Sequence, residues 1–229
     1  DHSLIQSTQR VESRLSGVMP LEVVFDAPAR DGLHDPRRLA HIDRVQRWLQ
    51  ARPEVDYSLA LPDFVEQMHW AFHGEDPAFR TLPEDPRLIA QYLLVYDGDD
   101  LYDVVDRDFR RARLLLNLNI HGATALNGFM DNLRAELRAH PPGDMDWDLA
   151  GMGRLFADQE RLLIQGQLRS LIAVTLLLLA LMWILWRSPA LAAASMVPNL
   201  APVALIFVFM GIFGIWLDMA TAMIAAVAV

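Results

Sequence analysis

Cysteine is missing from this chain, and so is lysine. Without cysteine there is no disulfide framework, no thiolate metal site and no thiol nucleophile. Stability has to come from packing. Nothing in the sequence ties the exclusive use of arginine to a function. No glycine-rich phosphate loop occurs, so direct nucleotide use by this segment has no support. No serine stands in a nucleophile elbow. The polar residues form no catalytic set, and the chain reads as a non-enzyme without cofactors.

Charge is what the last quarter lacks. From Leu168 to Val229 the only ionisable residues are Arg169, Arg187 and Asp218, and the rest is almost entirely apolar. A domain of this size cannot bury such a stretch, so it reads as membrane-spanning helix. Those three residues leave the tail at +1 against a total of −9, so residues 1–167 carry −10. A domain that acidic is a poor partner for nucleic acid or anionic headgroups. The chain starts at Asp1 without an initiator Met and stops at Val229 inside an apolar run. It is expected to be a fragment of a longer polypeptide. Residues 1–20 lack the apolar centre of a signal peptide.

The water-facing part, 1–152, contains two strand–helix–strand patterns. In the first, about 20–61, Leu21 to Phe25 is a short strand. Asp35-Pro36 is a cap with proline at the first helical position. The helix then runs to about Ala51, and Val55 to Leu61 is the second strand. Pro62-Asp63 opens a further helix to about Phe72, and Leu88 to Tyr96 is open between helix and strand. In the second unit, 113–150, Arg113 to Asn119 is a strand, Thr124 to His140 a helix and Met145 to Ala150 a strand. The fold class expected is α+β, with two βαβ, ferredoxin-like subdomains of the split type.

From Gly153 the pattern is helical without interruption, and residues 153–186 are read as one long helix entering the membrane. Nineteen residues from Leu168 to Trp186 cover roughly 28 Å, near the hydrocarbon thickness of about 30 Å. Trp183 and Trp186 stand at the far end, as interfacial aromatics do. Arg187-Ser188-Pro189 is a tight turn, 190–213 a second span, and 218–229 the truncated start of a third, with Asp218 as its cap. Pro198, Asn199 and Pro202 in the second span read as a kink, or as a hinge or polar point in a transport path. Arg187, the one cation in the turns, places the acidic domain on the outer side by the positive-inside bias.

Two polar clusters carry possible chemistry. Glu66, His69 and His73 share a helix face at metal-ligand spacing, but lack the Glu after the first His of zinc proteases. They read as surface or capping residues. Asp97, Asp99, Asp100, Asp103, Asp106 and Asp108 lack the glycine and terminal glutamate of an EF-hand. They read as a solvated helix start. No metal is expected.

The run Val197-Pro198-Asn199-Leu200-Ala201-Pro202, followed by Met210-Gly211-Ile212-Phe213-Gly214-Ile215-Trp216-Leu217-Asp218-Met219-Ala220-Thr221-Ala222-Met223-Ile224-Ala225, resembles the resistance-nodulation-division (RND) superfamily. The resemblance is nearest to its MMPL-like, predicted-exporter branch. It implies that 1–152 is an extracytoplasmic porter-type domain and that the apolar helices belong to a transmembrane bundle. It implies a multi-pass inner-membrane permease with residues 1–167 on the periplasmic side, exporting hydrophobic or lipid-like molecules on the proton-motive force. Expected partners are membrane lipids, the substrate, protons, and a further copy of the chain or a periplasmic adaptor. The proton-relay acids of the family would lie beyond Val229, and Asp218 is not one of them. The alternative is a non-transporting lipid-sensing or accessory protein with an extracytoplasmic binding domain.

Overall fold

The computed structural model describes residues 17, 19–96, 98–120 and 122–213. The chain divides into two compact units, Asp1–Leu155 and Phe156–Val229.

In the first unit, local chemistry starts the helices. Pro36 opens α1 (Pro36–Gln50), and the Asp35 carboxylate accepts the backbone N–H of Arg37 at 2.9 Å. This satisfies one of the donors that a helix start leaves orphaned. α3 (Pro86–Val95) repeats the device with Asp85 and Arg87, and so resolves the ambiguous 88–96 stretch as helix. Between them, α2 (Leu61–Phe72) is held by Asp63, whose carboxylate accepts the Ala60 N–H at 2.8 Å. A four-residue helix, α4 (Leu101–Val104), follows, then α5 (Ala123–Ala139).

The strands are β1 (Met19–Asp26), β2 (Val55–Leu59), β3 (Arg111–Leu118) and β4 (Asp146–Ala150). They form one sheet in the order β2-β3-β1-β4, antiparallel throughout. Each βαβ unit is split: β3 lies between β1 and β2, and β1 lies between β3 and β4. The sequence reading paired two ferredoxin-like subdomains. Here the two units instead interlock in a single ferredoxin-like sheet. The reason is hydrogen bonding. A split unit leaves a gap one strand wide, lined by unpaired N–H and C=O groups, and burying those unpaired is costly. The strand of the other unit fills it. The β1–β3 ladder runs without a break from Met19↔Leu118 to Asp26↔Arg111.

Period-two alternation sorts the faces. Leu21, Val23 and Phe25 of β1 and Ala112, Leu114, Leu116 and Leu118 of β3 are buried. α1 lies on that face, since its Gln46 and Gln50 amides both donate to Ser58, which pairs with Leu116. The open face carries Glu22, Val24 and Asp26 of β1 with Arg111, Arg113 and Leu115 of β3. Asp26–Arg111 (2.7 Å) and Glu22–Arg113 (3.6 Å) cross it as ion pairs. At Gly153, near the start of α6 (Met152–Trp186), a Cβ would meet the Pro20 carbonyl at 2.7 Å, so only glycine fits there.

In the second unit, α6 ends at Trp186, and Arg187 takes a left-handed conformation (φ 48°) that stops the helix. Its N–H closes on the Trp183 carbonyl at 2.8 Å. α7 (Pro189–Phe213) follows and runs through Pro198 and Pro202. Among the described residues, α6 is the one helix long and apolar enough, by length and composition only, to cross a membrane, and none of its most apolar stretch is buried. Pro189–Pro198 is a shorter apolar stretch. The expected third span at 218–229, with Asp218, lies outside the described residues.

Candidate functional site

β2 and β3 are antiparallel neighbours and could be joined by a short hairpin turn. Instead, residues 60–110 intervene and carry α2, α3, α4 and a 3-10 turn at Pro77–Phe79. Connections this long are uncommon unless they have a function. Against the edge strand β2 this segment forms a groove of about 280 Å³, lined by Leu59, Asp63, Phe64, Gln67, Met68 and Tyr96.

Each wall has a local cause. Leu59 sits at the end of β2. Phe64, Gln67 and Met68 follow on one side of α2 at helical spacing, with Met68 buried and Gln67 exposed. Tyr96 ends α3, and its hydroxyl donates to Asp100 at 2.6 Å. The Phe64 and Tyr96 rings stand 5.7 Å apart, tilted by 56°. Asp63 uses one oxygen for the Ala60 N–H and for the Gln46 amide (2.7 Å), which anchors the start of α2 to α1. Of these residues the sequence reading singled out only Asp63, as a helix start. Leu59, Phe64 and Met68 fall inside expected elements with no role of their own, and Tyr96 ends the stretch left open between helix and strand. The length of the β2–β3 connection was the signal that could have pointed to them.

The α1–α2 seam beside the groove is electrostatically crowded. Asp43 and Glu66 both reach Arg47, at 2.8 and 3.4 Å. Burial pushes both carboxyls above their ordinary range, and Arg47 only partly offsets it. Elsewhere the sign reverses. The hydrogen bond from Arg111, helped by Arg110, holds the Asp26 carboxyl below its ordinary value. The hydrogen bond from Arg38 does the same for Asp144.

Glu66, His69 and His73 do not converge on a common point. Glu66 turns to Arg47. His69 donates through Nδ1 to the Thr81 carbonyl at 2.8 Å, and His73 through Nδ1 to the His69 carbonyl at 2.7 Å. Their rings join an aromatic stack, with His73 on Phe79 at 3.9 Å and Phe72 on Tyr92 at 5.3 Å. They tie α2 to the turn at Pro77–Phe79 and to α3. The acidic run also disperses. Asp100 takes the Tyr96 hydroxyl, Asp106 accepts the N–H groups of Arg110 and Arg111, and Asp108 pairs with Arg30 at 3.3 Å. Asp97 lies outside the described residues. Among the described residues, no group of three or more metal-ligating side chains is placed to hold an ion.

Among the described residues are two further concavities. One, of about 370 Å³, lies at the β1–β4 edge and includes Asp26, Arg111, Asp146, Trp147 and Asp148. The other, about 230 Å³, is wholly within the second unit, where Leu176, Ala180 and Trp183 of α6 face Pro189, Ala192 and Ala193 of α7. Pro198 and Pro202 stand in α7 as the sequence placed them, and α7 is helical at Asn199. The chain matches no protein-family model, and no curated protein matches it.

Proposed function

We propose that this chain is part of an inner-membrane, RND-type permease that exports hydrophobic or lipid-like molecules on the proton-motive force. The observation that carries the reading is α6. A helix that begins beside an acidic α/β sheet continues as an apolar, unburied segment of spanning length. Its surface has no aqueous explanation, because exposing that many apolar side chains to water is strongly unfavourable. The Pro-Asn-Pro run of α7 and the RND-like residues around it supply the transport class.

In this reading the α/β unit is the porter-type domain on the periplasmic side. Its groove between β2 and the 60–110 connection receives the hydrophobic cargo. α6 passes helix shifts from the membrane to that domain, and Pro198, Asn199 and Pro202 let α7 bend. No described residue is assigned to carry protons. A pocket on a membrane-tethered domain equally suits a lipid sensor that moves nothing, and this is the second reading.

Reconstituting the full-length protein in proteoliposomes tests the choice. An imposed pH gradient is expected to drive export of a hydrophobic fluorescent reporter, and a protonophore to abolish it. Gradient-independent binding without movement would leave the sensor. A Gly-Ser-Gly-Ser insertion after Gly166 is expected to cut transport by about ten-fold or more while binding persists, since rigid coupling needs an unbroken helix. Undiminished transport would overturn the coupling.

A further inference from the structure

The geometry points to the groove between β2 and the 60–110 connection as a recognition site for a neutral or cationic aromatic molecule of one or two fused rings. This deepens the export reading by naming a substrate class and rests on that reading for its purpose, though binding itself does not depend on transport.

Four features select this ligand. First, the groove is small, about 280 Å³, at the low end for ligand sites. It holds a ring system rather than a whole lipid. Second, its walls suit a flat ring. Phe64 and Tyr96 are splayed by 56° at 5.7 Å, so that a third ring can meet one face and one edge. Met68 adds a polarizable sulfur at the base. Third, the walls are held in place. The Tyr96 hydroxyl is tied to Asp100 and Asp63 is tied to Ala60 and Gln46, so little ordering is left for binding to cost. Fourth, the polar groups at the rim choose the charge. Asp63 uses only Oδ2 for the Ala60 N–H and the Gln46 amide, and among the described residues neither its Oδ1 nor the Gln67 amide has a hydrogen-bond partner. An anion would meet that carboxylate in a domain already carrying −10.

The absence of cysteine makes the test clean. Gln67→Cys puts the only thiol of residues 1–229 on the exposed rim, and Glu84→Cys puts one on an exposed loop outside the groove lining as control, with any cysteine elsewhere in the full-length protein replaced by serine. Maleimide labelling is followed in detergent solution. Saturating neutral N-phenyl-1-naphthylamine is expected to slow labelling of Gln67→Cys by about five-fold or more, and to leave Glu84→Cys unchanged. Anionic 8-anilino-1-naphthalenesulfonate and the saturated chain of 1-decanol are expected to protect much less. Adding Phe64→Leu, which keeps volume but removes the ring, is expected to erase most of the protection. Equal slowing of the two thiols, or none, would overturn the site. Equal protection by decanol would overturn the aromatic class, and equal protection by the sulfonate would overturn the charge selection. A transporter that fails to move cargo but still shows this protection would sink the export reading alone.

Discussion

Asp26 and Asp43 are the same side chain in opposite surroundings. Asp26 lies between Arg110 and Arg111 on the open face of the sheet, and its carboxylate is favoured by folding. That stability is present above the ordinary aspartate value of about 3.9 and is lost as pH falls through the lower folded value. Asp43 is half-buried in the α1–α2 seam next to Glu66, and folding disfavours its charge. Stability is therefore greatest while it is protonated, and falls as pH rises from its ordinary value through the raised folded one. Its partner Arg47 is largely exposed, so the ion pair adds little. Asp43→Asn is expected to stabilise the α/β unit by about 0.5–1 kcal/mol at neutral pH and to have little effect near pH 4. Thermal melting at the two pH values, followed by tryptophan fluorescence, reads this directly. A variant less stable at neutral pH would show that Arg47 outweighs burial. None of this was legible in the sequence, because both aspartates lack a local cue to their surroundings. Asp35 and Asp85 are different: an aspartate before proline caps a helix by itself.

At the scale of elements, the sheet has two edges, β2 and β4, and each is protected. β2 pairs with β3 through a register irregularity between Val55 and Tyr57. β4 is short, and Asp146 and Asp148 are exposed on it. Charge on an outer strand discourages pairing with another chain. Asp146→Val is expected to leave the melting temperature nearly unchanged but to produce concentration-dependent oligomers, detected by light scattering in detergent. An unchanged monomer fraction would mean that strand length alone protects this edge. The strands and α1, α2 and α5 could all be read from period and punctuation. Their interlocking could not. Alternation shows that Leu114, Leu116 and Leu118 share a face, but not that β1 is the neighbour. Nor does it show that residues 60–110 fold back to wall a groove.

At the scale of the molecule, the division between an acidic α/β unit and apolar helices governs behaviour in solution. Without detergent or lipid, the purified protein is expected to aggregate, because α6 is not buried within the chain. A monodisperse species by size-exclusion chromatography in plain buffer would remove the basis of the membrane reading. By itself, the sequence determined what depends on near neighbours and on solvent: helix caps, strand periods, the charge asymmetry and the apolar run. Such signals act within a few residues, or through composition. Only the tertiary structure decided what depends on distant partners. It set two split units into one sheet, turned His69 and His73 into packing rings rather than ligands, and gathered Leu59, Phe64, Met68 and Tyr96 around one groove. Those outcomes follow from filling volume and pairing backbone groups across long sequence separations, which no local pattern records.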